Sequence, residues 1–375
     1  MESDNKLFLL DAYALIYRAY YAFIKNPRIN SKGFNTSAIL GFVNTLEEVL
    51  KKENPTHIGV AFDPSGPTFR HEAFEQYKAQ REETPEAIRL SVPIIKDIIR
   101  AYRIPILEVS GYEADDVIGT LATEAGKQGI TTYMMTPDKD YGQLVSDKVF
   151  MYRPKHTGGF EVMGIEEVKA KFDIQSPAQV IDMLGLMGDS SDNIPGCPGV
   201  GEKTAQKLIA EFGSIENLLE HTDQLKGALK TKVETNRELI TFSKFLATIK
   251  IDVPIQLEMD KLVREDADEN SLRSIFEELE FRTLIDRVLK KETPGNGMTT
   301  PAGSKTPTGK GTPAPLPLFP KEGEAVQGDL FANFTGNEPD EAKKSNLETL
   351  KSLNCNYQLI DTKAVSYTHL TLPTI

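Results

Sequence analysis

The chain has 375 residues, 39% of them hydrophobic and 26% charged, with a formal net charge of −12 at pH 7. These values are ordinary for a globular protein of two or three domains, and two cysteines exclude a disulfide framework and a zinc site. No apolar run is long enough to predict a membrane span, and the acidic start excludes a secretory signal, so we expect a cytoplasmic protein.

Strand and helix signals alternate over the first part of the chain. The strand candidates are residues 6–10, 57–62, 104–109, 130–135 and 148–152. The helix candidates between them are residues 13–23, 36–52 and 113–127, together with the highly charged stretch 69–102, whose first half lacks an apolar stripe. This alternation predicts an α/β domain over residues 1–165 with a parallel sheet.

The second part of the chain is predicted to be helical. Strand signals stop near residue 166, and short helical segments continue to about residue 292. Residues 293–345 contain 8 Pro and 8 Gly and are predicted to be a disordered linker. Residues 346–363 include a strand signal, NYQLIDT, which we interpret as the start of a further, truncated domain. Residues 364–375 fit nothing before them and are interpreted as a non-native tail.

Nine carboxylates lie where they can meet in one place. Most of them end a predicted strand or begin the helix that follows it, and ligands of open parallel sheets bind at the carboxyl ends of the strands. Carboxylates packed this closely repel one another, and hard divalent cations such as Mg²⁺ are the counter-charge that suits oxygen ligands. A pair of such ions can clamp a phosphate and activate a water molecule. The nine are Asp11, Asp63, Glu113, Asp115, Asp116, Asp138, Asp140, Asp189 and Asp192.

Each of these carboxylates, taken alone, has a second interpretation as a turn or helix-capping residue. The charge balance favours a shared site. Without the nine, residues 1–292 hold 36 Lys and Arg against 38 Asp and Glu. Much of the net acidity is therefore confined to positions where bound cations would offset it, and the negative total does not exclude a nucleic-acid partner.

Two groups of residues are candidates for phosphate binding. Lys78 and Arg81 are three residues apart and would share a helix face beside Tyr77, although a solvated helix face explains them equally well. Arg18 and Arg70 are further basic candidates for a DNA contact.

A Gly-x-Gly hairpin before a helix predicts a second phosphate contact. Gly199, Val200 and Gly201 precede a segment that carries Lys203 and Lys207. Such a hairpin exposes backbone N–H groups that bind phosphate without reading sequence. This is the pattern of a helix-hairpin-helix element, which would grip one strand of duplex DNA.

The motifs in their order resemble one family. LLDAYALIYRAYYA, VAFDPSGPTFRHEAFEQYKAQREETP, GYEADDVIGTLA, TPDKDYGQLV and GDSSDNIPGCPGVGEKTA are similar to the N-terminal 5′-nuclease domain of bacterial DNA polymerase I, a relative of flap endonucleases. The resemblance implies a PIN-like, mostly parallel central sheet with a helical arch, followed by an all-helical helix-hairpin-helix domain at residues 166–292.

The resemblance also implies chemistry and partners. The nine carboxylates would hold two Mg²⁺ ions, or Mn²⁺, with Tyr77, Lys78 and Arg81 on the arch above them and K⁺ at the hairpin near Gly199 and Gly201. The substrate would be duplex DNA with a 5′ flap or an RNA primer, cleaved by a monomer in replication and repair in the bacterial cytoplasm. The chain would lack a polymerase active site, and residues 346–363 would begin a 3′-5′ exonuclease-like domain.

One short peptide predicts a protein partner. QGDLF, with Gln327, Leu330 and Phe331, resembles the peptide by which bacterial proteins dock on the sliding clamp, although a chance cluster also explains it.

Two alternatives to a nuclease stay open at this point. A catalytically silent DNA-binding module would use the hairpin without cutting, and a one-metal receiver-type domain would use fewer of the carboxylates.

Overall fold

A six-stranded sheet forms the centre of the first part of the chain. The computed structural model describes residues 5–155 and 159–289. The strands, in chain order, are β1 (Lys6–Asp11), β2 (His57–Ala61), β3 (Ile106–Leu107), β4 (Thr131–Met135), β5 (Val149–Pro154) and β6 (Phe160–Met163). Their spatial order is β3-β2-β1-β4-β5-β6; the first five strands are parallel, and β6 runs antiparallel to β5.

The central strand β1 is buried on both faces. Its sequence, KLFLLD, is a nearly continuous apolar run, which is typical of a strand inside a parallel sheet. Leu7 and Leu9 pack into one hydrophobic cluster, while Phe8 and Leu10 pack into another on the opposite face. The alternation of side chains along the strand thus places helices on both sides of the sheet.

Fourteen α-helices lie within the described residues. In the α/β part they are α1 (Ala12–Ala22), α2 (Ser37–Lys52), α3 (Phe69–Ala73), α4 (Glu86–Ala101) and α5 (Ala114–Lys127). They continue as α6 (Ile165–Phe172), α7 (Gln179–Met187), α8 (Glu202–Phe212), α9 (Ile215–Glu220), α10 (Gly227–Thr235), α11 (Arg237–Ala247), α12 (Met259–Leu262), α13 (Glu269–Glu278) and α14 (Arg282–Val288). Two short 3₁₀ helices span Lys139–Leu144 and Thr222–Gln224.

Close helix packing depends on a few small residues. A Cβ atom added to Gly41 of α2 would lie 2.5 Å from the Cβ of Ala19 in α1, so only glycine permits this approach. Helices α1, α2, α4 and α13 share one cluster with one face of the sheet, whereas α5, α7, α8 and α11 contribute to the other.

The direction of strand addition reverses at β1. From β1 the sheet grows through β2 and β3 on one side and through β4 and β5 on the other. This reversal opens a crevice between the carboxyl ends of β1 and β4, the position at which open α/β sheets bind ligands. Asp11 is the last residue of β1, and Asp138 follows β4.

The structure differs from the predicted architecture in four details. The predicted strand at 104–109 is reduced to two residues in β3, and β6 was not predicted. The charged stretch 69–102 is helical only in α3 and α4, because residues 75–84 have no apolar stripe and Lys78 has a positive φ of 56°. Helices α13 and α14 belong to the predicted helical domain, but they pack into the α/β core through Leu272, Phe276 and Leu284.

The described residues all fall within one compact unit of the chain. The limits of the domains at residues 1–165 and 166–292 therefore stay predictions. The interpreted linker at 293–345, the truncated domain at 346–363, the tail at 364–375 and the clamp peptide lie outside the described residues. None of the described helices has the length and apolar character that a membrane span requires.

Candidate metal centre

Asp11 links the central strand to the first helix and lies in the crevice. Its Oδ1 accepts a hydrogen bond from the Ala14 N–H at 3.1 Å, which caps α1. Its Oδ2 accepts hydrogen bonds from the hydroxyls of Tyr141 at 3.2 Å and Thr136 at 3.3 Å. Burial, followed by the nearby charge of Asp63, raises the pKa of Asp11 from 3.8 to about 7. Tyr141 was not identified from the sequence, although it lies next to Asp140 in the PDKDYG motif.

The raised pKa of Asp11 predicts a gain in stability when its charge is removed. At pH 8 both the folded and the unfolded chain carry this charge, but only the folded chain buries it, at a cost of about 1.4 kcal/mol per pKa unit. In Asp11→Asn the amide oxygen can still accept the Ala14 N–H. Without divalent ions, Asp11→Asn should raise the free energy of unfolding at pH 8 by on the order of 2–4 kcal/mol.

The gain in stability expected for Asp11→Asn depends on pH. Between pH 4 and pH 7 the folded protein holds a proton on Asp11 that the unfolded chain has released, so wild-type stability falls as pH rises through that range. The advantage of Asp11→Asn should therefore shrink towards pH 4. Urea unfolding at pH 8 and pH 5 measures it, and equal stabilities of variant and wild type at pH 8 would contradict the assignment.

Two more carboxylates approach the crevice from neighbouring strands. Asp63 follows β2, and its Oδ1 accepts the Ala114 N–H at 2.7 Å, where the positive end of the α5 dipole favours an anion. Asp138 follows β4, and its Oδ1 accepts the Asp140 N–H at 3.0 Å. The charges of Asp63 and Asp138 both raise the pKa of Asp11, which places all three close together.

Glu113, Asp115 and Asp116 begin α5, and one carboxylate oxygen from each lies within 4.8 Å of the others. Asp116 is fully buried and already accepts four hydrogen bonds. Its donors are Arg70 Nη1 and Nη2, both at 2.8 Å, the Lys250 N–H at 2.7 Å and the Glu113 N–H at 3.0 Å. A carboxylate offers about four acceptor sites, so in this structure all of those of Asp116 are occupied. Asp116 is the counter-ion of Arg70 here, and its assignment as a metal ligand stays a prediction.

Asp115 and Asp140 differ from Asp116 in their hydrogen bonding. The Oδ1 atom of each is buried and has no hydrogen-bond partner among the described residues. Burial and the charge of Asp116 raise the pKa of Asp115 well above its usual value, and burial and the charge of Asp138 do the same for Asp140. Buried acceptors without donors are costly, and a cation would offset both the repulsion and the lost hydrogen bonds. These residues fit a hard divalent ion.

Arg70 does not lie on a DNA-binding surface. Its side chain is 1% exposed, and it forms ion pairs with Glu113 at 2.9 Å and Asp116 at 2.8 Å. The prediction that Arg70 contacts DNA is wrong, because no part of the guanidinium reaches solvent. No sequence pattern indicated this burial, because Arg70 lies in a segment rich in exposed charge.

Tyr77, Lys78 and Arg81 reach the carboxylates from the turns that follow α3. The Tyr77 hydroxyl oxygen lies 2.9 Å from Glu113 Oε2 and 3.0 Å from Asp192 Oδ2, so its one proton can be donated to either carboxylate. Lys78 Nζ lies 2.7 Å from Glu113 Oε1 and 3.7 Å from Asp192 Oδ2, and Arg81 Nη2 lies 2.6 Å from Asp192 Oδ1. The predicted shared helix face is wrong, but turns bring all three residues to the same carboxylates.

The charges in this cluster reinforce one another. Burial alone would lower the pKa of Lys78, but Tyr77, Asp192 and Glu113 raise it well above its usual value. Burial alone would raise the pKa of Asp192, but Lys78 and Arg81 lower it. Lys78 is therefore protonated and Asp192 ionised at neutral pH.

The loop after α7 completes the cluster. Asp189 Oδ1 accepts the Ser191 N–H at 2.8 Å, and its Oδ2 lies 3.1 Å from Lys139 Nζ. The charges of Asp189 and Asp192 both raise the pKa of Asp140. Lys139 was not predicted as a site residue. Its position between Asp138 and Asp140 in the sequence could have indicated that it lies near these carboxylates.

The hairpin residues lie apart from the carboxylates, before α8. Gly199 has a φ of +77°, and Gly201, Lys203 and Lys207 are exposed. Val200 is 4% exposed and its N–H donates to the Cys197 carbonyl at 2.9 Å, so the prediction of a DNA contact at Val200 is wrong.

The K⁺ ion expected at the hairpin near Gly199 and Gly201 stays a prediction. Lys232 Nζ donates a hydrogen bond to the Gly199 carbonyl oxygen at 3.3 Å, so an ammonium group already meets this acceptor. Arg18 lies on α1, half-buried, and its Nη2 donates to the Lys155 carbonyl at 3.0 Å; its predicted DNA contact stays a prediction.

Comparison with known proteins identifies relatives. Residues 6–173 match the family described as 5′-3′ exonuclease, N-terminal resolvase-like domain, and residues 175–270 match its C-terminal SAM fold. DNA polymerase I of Bacillus subtilis is 43% identical over 291 residues, which are 77% of this chain and 33% of that protein. DNA polymerase I of Bacillus caldotenax is 41% identical over 287 residues, 76% of this chain and 32% of that protein. The chain thus spans about a third of the length of these relatives.

Solved structures share the fold. A phage T5 5′-exonuclease with bound zinc aligns at a TM-score of 0.56 and 22% identity over 73% of this chain and 99% of its own. A bacteriophage T5 flap endonuclease in a pseudo-enzyme-product complex with DNA and metal ions aligns at 0.54 and 22% identity, over 74% of this chain and 100% of its own. Together with the sheet and the helical second part, these matches confirm the predicted fold class.

Proposed function

The chain belongs to the 5′-3′ exonuclease family, and from that membership we propose that its described residues hydrolyse phosphodiesters at the 5′ ends and flaps of duplex DNA with two divalent ions. The observation that carries the proposal is the pair of buried carboxylate oxygens of Asp115 and Asp140 that lack hydrogen bonds among the described residues. Both belong to clusters of like charge, and a bound divalent cation would reduce the repulsion within each cluster.

The proposed ligands surround the crevice and leave Asp116 out. Mg²⁺ or Mn²⁺ suits this all-oxygen set, and Mg²⁺ keeps several waters, so some carboxylates would act through water. Bound there, two divalent ions supply positive charge for a scissile phosphate and lower the pKa of water. The residues proposed to hold them, directly or through water, are Asp11, Asp63, Glu113, Asp115, Asp138, Asp140, Asp189 and Asp192.

The cationic residues have a different proposed role. Lys78 keeps its proton at neutral pH, so it presents a fixed positive charge beside Glu113 and Asp192. A phosphate that enters the site would compete with those carboxylates for Lys78, Arg81 and the Tyr77 hydroxyl. These groups would orient the phosphate and stabilise the charge that develops on it.

Lys78→Ala should therefore slow cleavage more than it weakens binding. We expect single-turnover cleavage of a 5′-flap duplex to fall about 100-fold, as for loss of one preorganised charge-stabilising donor, with duplex affinity reduced only a few-fold. Lys169→Ala, a surface lysine paired with Glu166, is the control and should cleave at the wild-type rate. Equal losses of rate and affinity would make Lys78 a generic backbone contact.

Duplex DNA is proposed to lie across the hairpin as well as the crevice. Lys203 and Lys207 are exposed on α8 behind Gly201, where they would contact phosphates without reading sequence. Binding should then weaken as salt concentration rises. We further propose action by a monomer on flaps and RNA primers in replication and repair, in the bacterial cytoplasm.

The sliding clamp is a proposed partner through Gln327, Leu330 and Phe331. These residues lie outside the described residues, and the proposal is supported by the peptide sequence alone. A clamp pull-down with the double variant Leu330→Ala, Phe331→Ala tests it. Unchanged recovery of the clamp would remove the proposal.

One assay separates the nuclease from the silent DNA-binding module. The protein is incubated with a 5′-labelled flap duplex in Mg²⁺ and, separately, in excess chelator. We expect short 5′-phosphorylated products in Mg²⁺ only, with binding under both conditions. Binding without cutting in Mg²⁺ would favour the silent module.

A further inference from the structure

The guanidinium of Arg70 joins three parts of the chain that are far apart in sequence. Its Nη1 donates to Glu113 Oε2 at 2.9 Å and Asp116 Oδ2 at 2.8 Å. Its Nη2 donates to Asp116 Oδ1 at 2.8 Å and the Thr248 carbonyl at 2.9 Å, and its Nε donates to the Leu246 carbonyl at 2.9 Å. These contacts use all of the N–H donors of an arginine.

The contacts to Leu246 and Thr248 are made at the carboxyl end of α11. The last carbonyls of a helix lack partners within the helix and carry its negative partial charge. Arg70 satisfies two carbonyls at this end and brings a full positive charge to it. The end of α11 is thereby fixed against α3, which carries Arg70.

The contacts to Asp116 and Glu113 are made at the start of α5. Asp116 also accepts the Lys250 N–H at 2.7 Å, so the segment after α11 is bonded to the same carboxylate as Arg70. Asp115 lies between these two acids in sequence, with its Oδ1 3.8 Å from Arg70 Nη1 and without a hydrogen bond among the described residues. The first turn of α5 is held from both sides while the Asp115 oxygen is left available.

We propose that Arg70, paired with Asp116, is a positioning residue that sets Glu113 and Asp115 for divalent-ion binding by tying the first turn of α5 to the end of α11. This inference rests on the proposed function. Lysine cannot replace arginine here, because a single ammonium carries three donors and cannot span two carboxylates and two carbonyls in one plane. Partners that orient metal ligands typically change metal affinity 10–100-fold when they are removed.

A double variant that leaves the net charge of the site unchanged separates a positioning role of Arg70 from effects of charge and of protein stability. Arg70→Met with Asp116→Leu removes one positive and one negative charge, so the net charge of the site is unchanged. After both halves of the Arg70–Asp116 pair are removed, Glu113 keeps its ion pair with Lys78, and replacements of a whole buried pair are often neutral for stability. The full chain is used without DNA, folding is checked by circular dichroism and melting, and Mn²⁺ binding is titrated by electron paramagnetic resonance.

The expected result is a folded double variant that binds Mn²⁺ about 10–100-fold more weakly than wild type. The control is Lys244→Met with Asp182→Asn, which removes another ion pair of α11, 2.6 Å long, that includes none of the nine carboxylates. The control should bind Mn²⁺ within about twofold of wild type, as expected for a change that orients no metal ligand. Wild-type Mn²⁺ affinity in the folded double variant would overturn the proposal.

Two further variants keep the test decisive. If the double variant does not fold, Arg70→Lys replaces it, with the same expected loss, and wild-type Mn²⁺ affinity there would also overturn the proposal. Asp115→Asn tests the metal site itself. Mn²⁺ binding lost in Asp115→Asn but kept in the Arg70 variants would refute the positioning role alone, whereas wild-type binding in Asp115→Asn would refute the proposed function.

Discussion

Asp115→Asn should reduce cleavage of a 5′-flap duplex by at least about 100-fold while duplex binding stays within a few-fold of wild type, since residues one step removed from a metal ion already cost 10–100-fold. The reason is local: the Asp115 Oδ1 atom is buried and has no hydrogen-bond donor among the described residues, and the nearest described cation, Arg70 Nη1, is 3.8 Å away, so a bound metal ion would stabilise its charge. An amide keeps the shape and removes that charge. Asp140→Asn should behave in the same way.

The measurement is a single-turnover cleavage rate in Mg²⁺, with duplex affinity measured separately in Ca²⁺ or chelator. Asp97→Asn is the matched control, because Asp97 is about 61% exposed and, among the described residues, pairs with Arg100 on the surface of α4. Its rate should equal that of wild type. A wild-type rate in both Asp115→Asn and Asp140→Asn would remove the metal assignment.

Asp116→Asn should lower the free energy of unfolding by about 3 kcal/mol or more, because removing one partner of a buried ion pair typically costs 3–5 kcal/mol. Arg70 would lose its bidentate partner while remaining 1% exposed. Loss of activity in this variant would follow from the disturbed first turn of α5 rather than from a missing metal ligand.

The neighbouring residue provides the contrast. Burial and the charge of Asp116 raise the pKa of Asp115, so Asp115→Asn removes a disfavoured charge and should leave the protein without divalent ions as stable as wild type or more stable at pH 8. Urea unfolding of both variants in chelator measures the difference. Equal losses of stability in the two variants would contradict the division of roles.

Much of the candidate site could be predicted from the residues at the ends of the predicted strands. An apolar run that ends in Asp, as in β1, predicts a buried parallel strand with its carboxylate in the crevice, and Asp11 and Asp138 lie there. The order of the motifs was equally informative, since the family that it indicated is the one to which the chain belongs.

The roles of adjacent acids did not follow from the sequence. Asp115 and Asp116 are neighbours of the same type, and contacts of Asp116 with Arg70 and the Lys250 N–H, formed across 46 and 134 residues, distinguish them. Spacing within a motif reports which residues share a helix turn, but it does not report which lone pairs are already taken. The burial of Arg70 was hidden for the same reason.

Local sequence patterns also could not predict the turns after α3. Residues 75–84 carry the polar sequence of a solvated helix, yet Lys78 adopts a φ of 56°, and its N–H donates to the Asp192 carbonyl at 3.0 Å. Contacts with the loop after α7 therefore decide the conformation of this segment, as tertiary contacts routinely override helix propensity.

The central claim is that the carboxylates in the crevice hold a pair of divalent ions. Crystals soaked in Mn²⁺ test it through the anomalous difference map. The account predicts two peaks about 3.5–4 Å apart, with oxygens of Asp115 and Asp140 among the ligands and Asp116 still bonded to Arg70. A map with no peak in the crevice, or with Asp116 as a ligand in place of Asp115, would contradict it.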